Sequence, residues 1–169
     1  MGVVSGASDS GTVRRVRPED VPVLVQLVRE LAAYEKAEHE ALMTDEQLHA
    51  ALFGEAPALF GHVALAGDGD VAGFALWFLN FSTWRGTHGI YLEDLYVQPA
   101  HRGKGLGREL LRTLAELCVQ RGYSRLEWWV LDWNTPSIEF YKAAGAVPMD
   151  EWTVFRLTDD ALSEFAARP

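Results

Sequence analysis

The sequence predicts an α/β fold, a central mixed sheet flanked by helices, and three observations predict it. Strand and helix signals alternate from residue 13 to the end of the chain, the pattern of one layered α/β domain. Gly67-Asp68-Gly69-Asp70 joins two apolar runs and supplies the positive φ angles of a tight hairpin, so those runs form an antiparallel pair. A glycine-rich segment stands between a later strand and a helix, and a further strand follows; the usual right-handed crossover makes these two strands parallel.

Residues 1–12 are rich in Gly and Ser, without the basic start and apolar block of a signal peptide, and read as a disordered tail. That leaves 13–169 as a single domain. Residues 13–16 form a short strand, and Pro18-Glu19-Asp20 opens a helix whose apolar positions Val21, Leu24, Leu27, Val28, Leu31 and Tyr34 recur at helical spacing. Thr44-Asp45-Glu46-Gln47 is a capping box that starts a second helix, ending near Gly54. The hairpin strands are 62–66 and 71–81, and residues 90–97 are the next strand. Residues 106–119 form a helix stopped by Gly122, and 125–131 the parallel strand after it. Thr135, as cap, and Pro136, at the first helical position, begin a helix that Gly145 closes. Residues 152–157 make a last strand and 159–167 a terminal helix.

Composition narrows the function. The chain has 169 residues, 49% hydrophobic and 23% charged, an ordinary globular mixture. Its longest apolar stretch, 71–81, falls far short of the ~20 residues of a membrane span, and a cytoplasmic address is the default expectation. Cys118, the single cysteine, excludes a disulfide framework and a cysteine-based zinc site within the chain. The five histidines form no ligand pair at helical spacing, and no metal is assigned. A net charge of −9 argues against nucleic acid as a partner and suits a cationic substrate.

The strongest local signal is Arg102-Gly103-Lys104-Gly105-Leu106-Gly107. Its glycines let consecutive N–H groups converge, and the following helix adds its positive end, so the loop is built to hold a pyrophosphate. A P-loop needs a Gly-Lys-Ser/Thr ending, which is absent; a dinucleotide fingerprint needs a glycine where Arg108 stands. The spacing Arg-x-x-Gly-x-Gly, in this strand, loop and helix context, resembles the coenzyme A signature of the GNAT acetyltransferase superfamily.

The resemblance runs from residue 13 to 157. Leu31-Ala32-Ala33-Tyr34-Glu35, Tyr91-Leu92-Glu93-Asp94, Trp133-Asn134-Thr135-Pro136-Ser137 and Phe140-Tyr141-Lys142 are similar to segments of the diamine (spermidine/spermine) and thialysine acetyltransferases. It implies the GNAT acyl-CoA N-acyltransferase fold and acetyl-CoA as co-substrate. It implies that Leu95, Tyr96 and Val97 pair with the pantetheine arm, that residues 102–108 hold the pyrophosphate, and that Asn134, Pro136 and Ser137 touch the cofactor. Glu93 is then the base that takes the proton of the attacking ammonium, whose pKa lies near ~10, directly or through water. Strand alternation would put Tyr91, Glu93, Leu95 and Val97 on one apolar face, a setting that raises a carboxyl pKa. Tyr141 is the general acid for the departing thiolate, and Tyr34, Glu35, Asp94, Glu127, Trp128 and Trp129 are candidates for the amine site, through carboxylates and aromatic faces.

Three features depart from the family: the tight hairpin at 67–70, the doubled tryptophan, and Ala143-Ala144 after Lys142 where basic residues are common. The first two bear on substrate choice and the third on one phosphate contact. The sequence therefore predicts direct acetyl transfer to a primary amine of a small cationic molecule, polyamines ranking first because no basic residue stands among the matched substrate positions. Transfer to a thialysine-like amino acid or a protein amine, and a coenzyme A-binding regulatory module without turnover, are the competing readings. The resemblance also implies a homodimer, with residues 152–155 at its surface.

Overall fold

The computed structural model describes residues 12–168; residues 1–11, most of the expected N-terminal tail, lie outside them. The described chain divides between Trp129 and Val130 into two compact units.

The first unit is built on a five-stranded sheet of order β1-β2-β3-β4-β5. Its strands are β1 (Val13–Arg15), β2 (Phe60–Leu65), β3 (Val71–Ser82), β4 (Thr87–Val97) and β5 (Leu126–Glu127), and its helices α1 (Val21–Tyr34), α2 (Asp45–Phe53) and α3 (Leu106–Arg121). The first four strands are antiparallel and β5 is parallel to β4, as the hairpin and crossover signals require. The expected strand at 125–131 shrinks to Leu126–Glu127, because only Ile90 and Tyr91 of β4 pair with it.

The helical spacing of α1 buries Val21, Leu24, Leu27 and Leu31. With Leu48 and Leu52 of α2 they pack on Val63, Phe74, Leu76 and Tyr96, making the core on one face of the sheet. The capping box of α2 forms as its sequence dictates: Gln47 N–H donates to Thr44 Oγ1 (3.3 Å) and Thr44 N–H donates to Gln47 Oε1 (3.0 Å). Asp20, buried before α1, accepts from both terminal nitrogens of Arg14 at 2.7 and 2.9 Å, fastening the helix start to β1. On the opposite face, α3 buries Leu110, Leu114 and Leu117, and Arg121 lies over the ring of buried Trp77.

The second unit holds α4 (Thr135–Ala143) and α5 (Asp159–Ala166). Two expectations are corrected here. Asn134, not Thr135, caps α4: its Oδ1 accepts from Ser137 N–H at 3.4 Å, and Thr135 becomes the first helical residue. Residues 152–157 form no strand, since no segment among the described residues pairs with them, and Trp152, Val154, Phe155 and Leu157 remain exposed.

Candidate active site

β4 carries the site. Along most of the strand its side chains alternate, but the register with β3 slips between the pairs Trp77↔Leu92 and Leu76↔Asp94, leaving Glu93 as the extra residue of a β-bulge. The expected row of Tyr91, Glu93, Leu95 and Val97 is therefore broken. Tyr91, Asp94 and Tyr96 share the face of Phe78, Leu76 and Phe74, whereas Leu92 and Leu95 share the face of Trp77 and Ala75. Glu93 itself is exposed.

The bulge turns Asp94 toward the end of α1. Burial, together with the negative charges of Glu93 and Glu35, pushes its carboxyl up to about 7. Glu35, the residue after α1, is partly buried and its carboxyl is raised by that burial. Three carboxylates thus act on one another here, and a cation entering among them would relieve the repulsion. The bulge breaks the alternation expected for Glu93 and places Asp94, whose carboxyl is raised, on the face of Leu76.

Beyond Tyr91, β4 runs on to Val97 while β5 has already ended, so among the described residues no strand pairs with that outer edge. Its outward-facing N–H and C=O groups, apart from the Val97 carbonyl that accepts from Arg102 Nε at 2.9 Å, can meet an extended, amide-bearing chain laid alongside as an added strand. This is the stretch that includes Leu95, Tyr96 and Val97. The side chain of Tyr96 is buried in the core and donates to Glu30 Oε2 at 3.3 Å. The Gln98 N–H donates to the Ala72 carbonyl of β3, so by alternation the backbone of Tyr96, opposite Phe74, also faces β3, and the outward-facing backbone is that of Leu95 and Val97.

The glycine loop follows β4 through a turn at Pro99–His101. Gly103 and Gly105 both have positive φ, 77° and 83°, and a Cβ built on either meets nothing within 4 Å, so the loop is open on that side. Gly105 is the N-cap of α3 and no side chain caps the helix; Leu106 is buried and anchors it. The first N–H groups of α3, those of Leu106, Gly107 and Arg108, are thus presented at the positive helix end, and Lys104 and Arg108 are exposed beside them. N–H donors at a helix start with open space before them favour an anion.

β5 and the residues after it complete the face that holds Tyr91. Glu127 is paired in register with Tyr91 and accepts from Asn80 Nδ2 at 2.8 Å, with Arg125 Nε 3.3 Å away. Asn80 reaches across β4 because Gly89 lies between: a Cβ there would stand 2.5 Å from Asn80 Oδ1. Trp129, 59% exposed, meets the ring of Tyr91 edge-on at 5.8 Å, and Tyr91 packs on Phe78 at 4.9 Å. Trp128 is partly buried. The charge of Glu127 is therefore balanced by Arg125, a residue the sequence reading passed over although it shares the alternation of Glu127 and Trp129.

In the second unit, Asn134 is buried and spends its side-chain oxygen on the cap of α4, with Pro136 and Ser137 in the first turn. Tyr141 lies on the same helix, partly buried, its ring 5.3 Å from that of Phe140. Among the described residues, no group of three or more His, Cys, Asp or Glu is placed to hold a metal ion, and no helix is long and apolar enough to cross a membrane.

Comparison with known proteins bears on this arrangement. Residues 24–146 match the acetyltransferase (GNAT) family. The chain is 37% identical to thialysine N-epsilon-acetyltransferase of Bos taurus, over 92% of this chain and 97% of that protein. It is 29% identical to an L-ornithine N5-acetyltransferase of Arabidopsis thaliana, over 89% and 85% of the two chains. Among solved structures, an integron cassette protein from the mobile metagenome of V. cholerae superposes with a TM-score of 0.77 at 27% identity, covering 92% of this chain and 97% of that one.

Proposed function

The chain belongs to the acetyltransferase (GNAT) family, and from that premise we propose that it transfers the acetyl group of acetyl-CoA to the terminal primary amine of a small cationic molecule by direct attack. The observation that carries this reading is the Asp94 carboxyl, pushed up to about 7 beside Glu93 and Glu35, on the strand that leads into the open glycine loop.

The loop from Arg102 to Arg108 would hold the pyrophosphate on its backbone N–H groups, and the outer edge of β4 at Leu95 to Val97 the pantetheine amides; Asn134, Pro136 and Ser137 are further cofactor residues. Bound acetyl-CoA supplies the acetyl group as a thioester. Asp94 and Glu35 hold the ammonium of the acceptor, and Glu93, exposed on the bulge, takes its proton directly or through water. The freed nitrogen lone pair would form the C–N bond as the C–S bond breaks, the leaving sulfur would take the phenolic proton of Tyr141, and the second proton lost by the nitrogen as it becomes an amide would restore that phenol by way of solvent.

Within this substrate class two readings have separate support. The ω-amine of a basic amino acid is favoured by Arg125, whose partly exposed guanidinium neutralises Glu127 and offers a cation to a substrate carboxylate, and by the names of the thialysine and ornithine enzymes. A polyamine is favoured by the net charge of −9 and by the clustered acids. Acetylation of thialysine, ornithine, spermidine, putrescine and a generic peptide, followed by coenzyme A release, tests the proposal: turnover of no amine would reduce the chain to a coenzyme A-binding module. We propose in addition a cytoplasmic homodimer. The exposure of Trp152 and Phe155, the latter 92%, supports an apolar contact between copies, and sedimentation of Phe155→Lys as a monomer beside a dimeric parent would bear it out.

A further inference from the structure

Arg102 opens the glycine loop, yet its guanidinium is directed to the α1 side of the sheet. Cζ lies 5.1 Å from the ring centroid of Tyr34, the last residue of α1, and 5.5 Å from that of Tyr96 on β4. Nε donates to the carbonyl of Val97 at 2.9 Å, which fixes the side chain at the end of β4. Below it, Tyr96 Oη and Gln98 Nε2 both donate to the carboxylate of Glu30, one turn earlier on α1, at 3.3 Å. One cation therefore bridges the loop that receives the donor and the helix end whose next residue, Glu35, belongs to the acceptor side.

We propose that Arg102 is a positioning residue that couples donor binding at the glycine loop to the amine-binding end of α1 through its stacking on Tyr34 and Tyr96. The inference rests on the acetyl-CoA reading above. A pyrophosphate that orders the loop fixes the Arg102 backbone; the stacked guanidinium then holds Tyr34, and with it Glu35, in the position that faces Asp94. Coupling of this kind is reciprocal, so a change at Tyr34, which lies outside the glycine loop, must be felt by acetyl-CoA. A cation–π contact at an exposed site makes the effect roughly two- to fivefold in affinity.

The test is a double-mutant cycle read by calorimetric titration of acetyl-CoA. Tyr34→Leu weakens binding roughly two- to fivefold, Tyr34→Phe, which keeps the ring, stays within about twofold of the parent, and Tyr34→Leu adds nothing further once Arg102→Gln is present. A second measurement does not depend on the Leu variant folding: at saturating acetyl-CoA, Arg102→Gln raises the KM for the amine several-fold with a smaller change in kcat. Unchanged acetyl-CoA affinity in Tyr34→Leu, full additivity of the two substitutions, or an unaltered amine KM in Arg102→Gln overturns the coupling. Failure of the parent protein to bind acetyl-CoA is a different result, visible in the first titration, and removes the acetyl-CoA reading together with this one.

Discussion

At Asp94 a carboxyl with an ordinary value of 3.8 is pushed up to about 7 in the folded chain, by burial and then by Glu93 and Glu35. Between those two values the folded state keeps a proton that the unfolded state has lost, so stability falls as pH rises through the window and the whole cost is present above 7. Asp94→Asn, which cannot ionise, should melt above the parent at pH 8, and the difference should shrink toward pH 4; scanning calorimetry at the two pH values checks the sign. The same ionisation should appear as a limb near neutrality in the pH profile of kcat/KM, absent in the Asn variant. At Tyr141 the expectation is kinetic: Tyr141→Phe keeps the ring and removes the proton, so kcat should drop by ~10²–10⁴ with stability little altered. A variant that retains most of its kcat would return Tyr141 to a packing role beside Phe140.

Among the elements, the loop before α3 and the crossing between β3, β4 and β5 respond to an added side chain for opposite reasons. A side chain at Gly105 finds open space but an unfavourable backbone, since φ is 83° and the left-handed region costs an L-residue about 1–2 kcal/mol. Gly105→Val should therefore raise the acetyl-CoA Kd or abolish binding, by relaxing the loop away from the geometry that aligns its N–H groups and by filling the mouth; calorimetry reads it directly. At Gly89 the conformation is tolerant and the space is not: a Cβ would stand 2.5 Å from Asn80 Oδ1 and 2.9 Å from Arg125 Cγ. Gly89→Ala should displace the Asn80 amide from Glu127 and cost about 1–3 kcal/mol, the usual range for overpacking, measurable as a lower urea midpoint.

Over the whole molecule the net charge of −9 sets a field that draws cations and weakens with salt. Spermidine, with several charges, should lose more kcat/KM than a zwitterionic amino acid as ionic strength rises, and the ratio of the two at fixed salt decides which kind of acceptor the site prefers. Glu35→Gln sharpens the comparison: if it leaves spermidine turnover unchanged while thialysine wins more than tenfold, the acids do not select for a polyamine. What the sequence alone determined was local. Helical spacing set α1, the Thr44 box set the start of α2, glycines at 67–70 set the first hairpin, and Arg102 to Gly107 marked the open glycine loop before α3, because each of these depends on residues within a few positions of one another. What only the tertiary structure decided depends on partners distant in the chain. The bulge at Glu93 exists only in register with β3, and it is that slip which places the Asp94 carboxyl on the face of Leu76, where burial raises it. The pairing of Glu127 with Arg125 and Asn80 needs β3, β4 and β5 side by side. The strand expected at 152–157 did not form, because a strand is completed by its neighbour's hydrogen bonds and no described segment supplies them.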